Sequence, residues 1–197
     1  MPHVTVKPVK AKKCREHDRK PFIISKIIYD FVEIGIKKIF ISLNYKSSII
    51  KAYLNDSKYK KFFSYITETK SLGTAGSLKF VEKNISENFL LINADIIIDL
   101  DFSEIVKFHL KNKNIITIIA VNKNITVPYG NCIYDKRSFK LIKIDEKPTF
   151  DFKINSGVYI CNKKILQYIK KNKAIDMDEL IALLTKKGIK VGVYGAN

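Results

Sequence analysis

The chain of 197 residues has no tryptophan, three cysteines, two methionines, five prolines and eight glycines. Cys14, Cys132 and Cys161 lie far apart and form no CxxC pair. That spacing excludes a disulfide scaffold and a thiolate zinc site, and it suits a reducing, cytoplasmic compartment. Long apolar runs are also missing. The longest, such as residues 115–121, are strand-sized, far short of the roughly 18–20 residues of a membrane-spanning helix. Residues 1–20 hold seven basic and two acidic side chains but no apolar stretch, which excludes a secretory signal. Arginine is scarce: of 36 basic residues only Arg15, Arg19 and Arg137 are arginine.

The formal charge is nonetheless +17, and a basic domain raises the question of nucleic acid. Nucleic-acid sites favour arginine, whose planar fork matches phosphates and guanine edges. Here the lysines are spread along a chain that also holds 32 isoleucines. This composition disfavours nucleic acid as the partner, while the charge still steers small phosphorylated anions towards the surface. With 46% hydrophobic and 28% charged residues, the chain reads as a soluble globular domain with room for one core.

Periodicity sharpens after residue 20. Residues 22–35 form an amphipathic helix pattern, with Ile24, Ile27, Ile28, Phe31 and Val32 on one face and Gly35 as the stop. Strands are expected at 38–43, 62–67, 89–93, 115–122, 156–161 and 189–194. Helices are expected at 47–54, 74–84, 102–111, 163–171 and 176–187, and an antiparallel pair at 132–134 and 139–145. Apolar strands alternating with helices predict an α/β fold. Its sheet is open, mostly parallel and Rossmann-like (doubly wound), with helices on both faces and a small antiparallel pair. Residues 21–197 make one domain, and the basic segment 1–20 is expected to be disordered. In such sheets ligands gather beyond the carboxyl ends of the strands, which directs attention to residues 72–76, 93–95, 127–130 and 146–155.

Leu72-Gly73-Thr74-Ala75-Gly76 is a small-residue loop opening a helix, suited to close ligand approach and equally to a plain strand-to-helix turn. Asp95 follows an apolar strand, where a carboxylate suits Mg²⁺ or a helix cap, and Asp99 and Asp101 stand nearby as alternatives. Glu146-Lys147-Pro148 and Asn155-Ser156-Gly157 flank a strand start and offer an acceptor, an ammonium and an amide, or simply solvated loop charge. His3, His17 and His109 are dispersed, and His109 reads as structural. No Ser-His-Asp, GKS/T or zinc spacing is present.

The order of these pieces is the specific signal. ETKSLGTAG, LLINAD, VPYG, DEKPT and INSGVY, in that order over about residues 20–194, resemble the sugar-1-phosphate nucleotidyltransferase family. The resemblance implies an enzyme that joins a nucleoside triphosphate to a sugar 1-phosphate. It releases pyrophosphate and makes a nucleotide-diphosphate sugar for surface polysaccharide or glycan precursors. It implies Mg²⁺ on Asp95, with Asp95 and Lys147 catalytic, although Ala94 departs from the family's Asn-Gly-Asp. By the same resemblance Leu72, Gly73 and Thr74 would line the nucleobase and ribose, Glu68 would read the base edge, and Gly130, Glu146, Lys147 and Asn155 would hold the sugar phosphate. A carboxylate at Glu68 matches the paired donors of guanine, so GTP is the first choice of triphosphate, ahead of CTP or UTP.

Two family features are missing from the sequence. Residues 1–20 contain no glycine, so the opening strand with its GGxGTRL loop is expected to be lost, although Lys20-Pro21 fits the family's second Lys-Pro. The chain also stops before the family's Trp-x-Asp-[IV]-Gly segment. The sequence therefore looks like the middle of such an enzyme. The competing expectation is a non-catalytic nucleotide-sugar-binding module or an inactive truncated paralogue. The sugar and the oligomeric state are left open.

Overall fold

The structure, a computed structural model, describes residues 3–6, 23–96 and 100–196. The expectations for residues 7–20, for Lys20-Pro21 and for Asp99 fall outside the described residues.

The chain runs through β1 (His3–Val6), α1 (Ile23–Glu33), β2 (Ile39–Leu43), α2 (Ser47–Asn55), β3 (Phe63–Thr67), α3 (Gly73–Gly76) and β4 (Asn88–Ile92). It continues through α4 (Phe102–Asn112), β5 (Ile116–Thr126), β6 (Asn131–Tyr134), β7 (Leu141–Asp145), β8 (Thr149–Asn162), α5 (Met177–Lys186) and β9 (Val191–Ala196). Where helices were expected at 74–84 and 163–171, the chain instead forms the single turn of α3 followed by a 3-10 segment, Ser77–Val81, and a second 3-10 segment, Lys163–Tyr168.

Seven strands form one sheet in the order β3-β2-β1-β4-β8-β5-β9, and β6 and β7 pair separately. The opening strand expected to be lost is present: β1 lies between β2 and β4 and is parallel to both, with Val4 opposite Ile39 and Leu90. Four of the neighbouring pairs are parallel, but β8 runs antiparallel to both β4 and β5. The sheet is therefore mixed. A buried run such as Val158-Tyr159-Ile160-Cys161 carries no sign of its direction, so periodicity alone does not reveal the reversal.

Alternation along the strands feeds two apolar layers. Ile39, Ile41 and Leu43 of β2, Leu90 and Ile92 of β4, and Val158 and Ile160 of β8 pack on one face. There they meet Ile24, Ile27, Ile28 and Phe31 of α1, Leu54 of α2 and Ile105 of α4. The intervening residues Phe40, Phe89, Leu91, Tyr159 and Cys161 face the other way, onto Ala75, Leu78, Met177, Leu180 and Leu184. Helices thus cover both faces, as the sequence predicts, and β2, β4 and β8 contribute apolar side chains to both layers.

β5 and β8 outrun the sheet. They stay paired from Ala120↔Asn155 to Thr126↔Thr149, beyond the last pairs of β4 with β8, and the β6–β7 pair is inserted between them in sequence. This arm carries much of the exposed apolar surface, including Tyr129, Phe139, Ile142, Phe150 and Phe152.

Candidate active site

The carboxyl ends of β2, β3 and β4 lie at one edge of the sheet. Because β8 is antiparallel, its residues 155–157 arrive at that same edge, and the Asn93 N–H donates to Gly157 O at 3.1 Å. Three groups of residues assemble there and on the arm.

The first group follows β3. The Glu68 N–H donates to Leu43 O at 2.9 Å, which carries the β2–β3 ladder one residue further and turns the Glu68 side chain inward beside Ser42. Both side chains are buried. Ser42 Oγ donates to Glu68 Oε1, and the Leu72 N–H donates to Oε2 at 3.1 Å. The sequence reading puts Glu68 on the base edge. In the structure both of its oxygens are engaged beneath the loop, so Glu68 fixes residues 68–72 as a tight turn.

Leu72 is buried, while Gly73 and Thr74 are half-buried. Sequence reasoning explains Gly73 by ligand approach. The geometry gives it a second reason. Gly73 has φ +73, and a Cβ there would lie 2.6 Å from Ile175 O and 2.8 Å from Asp176 Oδ1. Its glycine identity is therefore also required by the segment that precedes α5. Asp176 accepts a hydrogen bond from Thr74 N at 2.7 Å, and Thr74 Oγ1 accepts one from Met177 N at 2.8 Å. Sequence reasoning missed Asp176. Its one sequence signal, an Asp three residues before a Glu at a helix start, says nothing of a partner 102 positions away.

The second group follows β4. Ala94 is buried and Asp95 is exposed, and the Asp95 carboxylate makes no hydrogen bond or ion pair among the described residues. Asn93 lies in the stretch 93–95 that the sequence singles out, but the sequence gives it no role of its own. Its side chain packs against Gly157 (φ +79), which has no room for a Cβ beside the Asn93 amide, and Asn93 Oδ1 is buried without a hydrogen-bond partner. Across the same junction Asn155 Nδ2 donates to Tyr159 Oη at 2.7 Å, and Asn155 Oδ1 accepts from Gly157 N at 3.0 Å. Burial raises the Tyr159 phenol pKa above its ordinary value of 10.0, so Tyr159 stays protonated and anchors Asn155.

Asp101 takes the other role weighed for it. It is the N-cap of α4, its side chain accepting from Ser103 N at 2.8 Å. Hydrogen bonding from the Ser103 hydroxyl, and then from its main-chain N–H, holds the Asp101 carboxyl pKa below the ordinary 3.8. Both carboxylates are exposed, and Asp95 is the one of the pair with no hydrogen bond among the described residues. No group of three or more His, Cys, Asp or Glu side chains gathers among the described residues. A lone exposed carboxylate such as Asp95 suits Mg²⁺, which takes one or two carboxylates and completes its shell with water and phosphate oxygens.

The third group sits on the arm. Glu146 and Lys147 follow β7, with Lys147 at φ 47, and both are exposed. A Cβ on Gly130 would lie 3.0 Å from Glu146 Oε2 and from Ile144 Cγ2, so β7 and the β5–β6 connection pack closely here. Val127 N donates to Pro148 O at 3.0 Å, which closes the base of the inserted pair. Lys147 makes no ion pair among the described residues. Gly130, Glu146 and Lys147 thus form one unit, and Asn155 belongs with Asn93 and Gly157 instead.

His109 lies away from these groups, at the opposite end of the sheet. It is buried, with Nδ1 at 2.8 Å from Thr117 Oγ1 and Nε2 at 3.3 Å from Asn88 Oδ1, as expected of a structural histidine. Among the described residues no helix is long and apolar enough to cross a membrane, and Cys132 is an exposed free thiol.

Comparison with known proteins places this arrangement. The family model described as Nucleotidyl transferase matches residues 10–190. A mannose-1-phosphate guanyltransferase of Yarrowia lipolytica is 31% identical over 162 residues, 78% of this chain and 44% of that protein. The mannose-1-phosphate guanylyltransferase catalytic subunit beta of Dictyostelium discoideum is 32% identical over 167 residues, 82% of this chain and 46% of that protein. The chain thus spans less than half the length of these two relatives. Among solved structures, HddC from Yersinia pseudotuberculosis complexed with GMP-PN matches with a TM-score of 0.69 at 24% identity, covering 100% of this chain and 91% of that one. At this identity the likeness shows a shared fold.

Proposed function

We propose that this chain, which belongs to the nucleotidyl transferase family, is the catalytic part of a guanylyltransferase joining GTP and a sugar 1-phosphate into a GDP-sugar with release of pyrophosphate. The observation that carries the reading is the junction of β4 with β8. It sets an accessible carboxylate, Asp95, beside the Asn93, Asn155 and Gly157 cluster, at the edge where the Leu72-Gly73-Thr74 loop emerges. GTP is favoured because the relatives named above are mannose-1-phosphate guanylyltransferases and the similar HddC structure holds GMP-PN. Mannose 1-phosphate is the first sugar to try for the same reason.

In this reading a phosphate oxygen of the sugar 1-phosphate attacks the α-phosphorus of GTP. The bond to the β-phosphate bridging oxygen breaks, and pyrophosphate leaves. The attacking group is already an anion, so no general base is required, and positioning with charge neutralisation supplies the catalysis. Asp95 would hold a Mg²⁺ ion, which when bound neutralises charge on the triphosphate. Lys147 places an ammonium against the phosphate of the acceptor, and Gly130, Glu146 and Asn155 hold the acceptor's sugar and phosphate. Leu72, Gly73 and Thr74 receive the nucleoside on their main chain, with Glu68 keeping the loop in shape from below.

Calorimetric titration with GTP, ATP, CTP and UTP, each with Mg²⁺, tests the assignment. GTP is expected to bind most tightly. A folded chain that binds no triphosphate overturns the reading, and a preference for another triphosphate overturns the base assignment alone.

A further inference from the structure

Nearly every main-chain donor of the LGTAG loop is consumed inside the protein. Leu72 N–H goes to Glu68, Thr74 N–H to Asp176, and the Ala75 and Gly76 N–H groups to Ile175 O at 3.0 and 3.2 Å. Ile175 N returns a bond to Leu72 O at 3.0 Å. Gly73 N–H alone in this run has no partner among the described residues. A free donor between two donors fixed by carboxylates is held at a defined place and angle, which lowers the ordering cost of binding.

From this we infer that Asp176 is a positioning residue for nucleotide binding: by holding Thr74 N–H it presents Gly73 N–H to the nucleoside. The inference rests on the reading that this loop receives GTP. Asp176 combines two tasks that can be separated. It is the N-cap of α5, in a capping box in which Glu179 Oε2 accepts from Asp176 N at 3.0 Å. It also reaches across to the loop. Glu179 shares the first task and makes no hydrogen bond to residues 72–76 among the described residues. A carboxylate packed over the Cα of Gly73 also explains why the second task needs a short side chain: Asp176 Oδ1 already lies 2.8 Å from where a Gly73 Cβ would be.

The test compares GTP affinity, measured by calorimetry with Mg²⁺, in the full chain and in Asp176→Ala, Asp176→Asn and Glu179→Ala, with circular dichroism confirming that each is folded. Asp176→Ala is expected to bind GTP about tenfold more weakly, the scale of one lost hydrogen bond to a charged group. Asp176→Asn keeps an acceptor oxygen for Thr74 N and is expected to restore affinity to within about threefold. Glu179→Ala is expected to lower the melting temperature while leaving affinity unchanged. Unaltered affinity in Asp176→Ala overturns the inference, as does an equal loss in Glu179→Ala, because the effect would then come from helix stability alone. If the unmodified chain binds no triphosphate, the guanylyltransferase reading itself fails and this inference falls with it.

Discussion

Glu68 shows how one side chain is read differently from the chain and from the fold. Five residues before Gly73, it resembles a base-reading position, and its carboxylate suits guanine. Burial and the two donors that reach it, Ser42 Oγ and Leu72 N, assign it to the shape of the loop. Removing it in Glu68→Ala leaves a buried hydroxyl and a buried N–H without an acceptor, a loss of about 1–3 kcal/mol. Glu68→Gln is expected to cost less, since its amide oxygen can accept from Leu72 N while its NH₂ donates to Ser42 Oγ. Urea unfolding midpoints of the two variants check this. Equal damage from both would mean that the negative charge itself is needed. Local sequence marks a carboxylate but not what lies under it, and Ser42 sits 26 positions away.

Among the elements, α1 and α5 are legible because their apolar residues recur at helical spacing, and Gly35 and Gly188 follow their ends. The edge-to-centre order of the strands is not legible, nor is the reversal of β8, because both are set by pairing rather than periodicity. His109 links α4 to β5 and β4 through Thr117 and Asn88, and it tests that packing. Burial lowers its pKa below the ordinary 6.5, so the folded state resists a proton that the unfolded state accepts. The unfolded chain binds more protons as pH falls through about 6.5, and stability therefore declines on acidification from there down to the lowered folded value. A neutral replacement, His109→Gln, is expected to show a smaller drop in melting temperature between pH 7 and pH 5 than the parent chain. An identical drop in both would show that His109 does not contribute to the acid sensitivity.

At the scale of the whole molecule, the architecture gathers what the chain keeps apart. Parallel strands β1 to β4 deliver residues 68–76 and 93–95 to one edge, and the reversed β8 adds residues 155–157. The arm of β5 and β8 carries Gly130, Glu146 and Lys147 beyond it. The order of motifs was legible as a family resemblance, and the family match bears it out. The residues taken singly leave Asp95 and Asp101 as alternatives, and only the fold shows that Asp101 caps α4 whereas Asp95 makes no hydrogen bond among the described residues. The most direct measurement is Mg²⁺-dependent pyrophosphate release from GTP and mannose 1-phosphate by the parent chain, Asp95→Asn and Asp101→Ala. The account predicts release that requires Mg²⁺, falls by about 100-fold or more in Asp95→Asn, and persists in Asp101→Ala despite a lowered melting temperature. Release that survives Asp95→Asn or proceeds without Mg²⁺, or its absence from a folded parent chain with every sugar 1-phosphate tried, would contradict it.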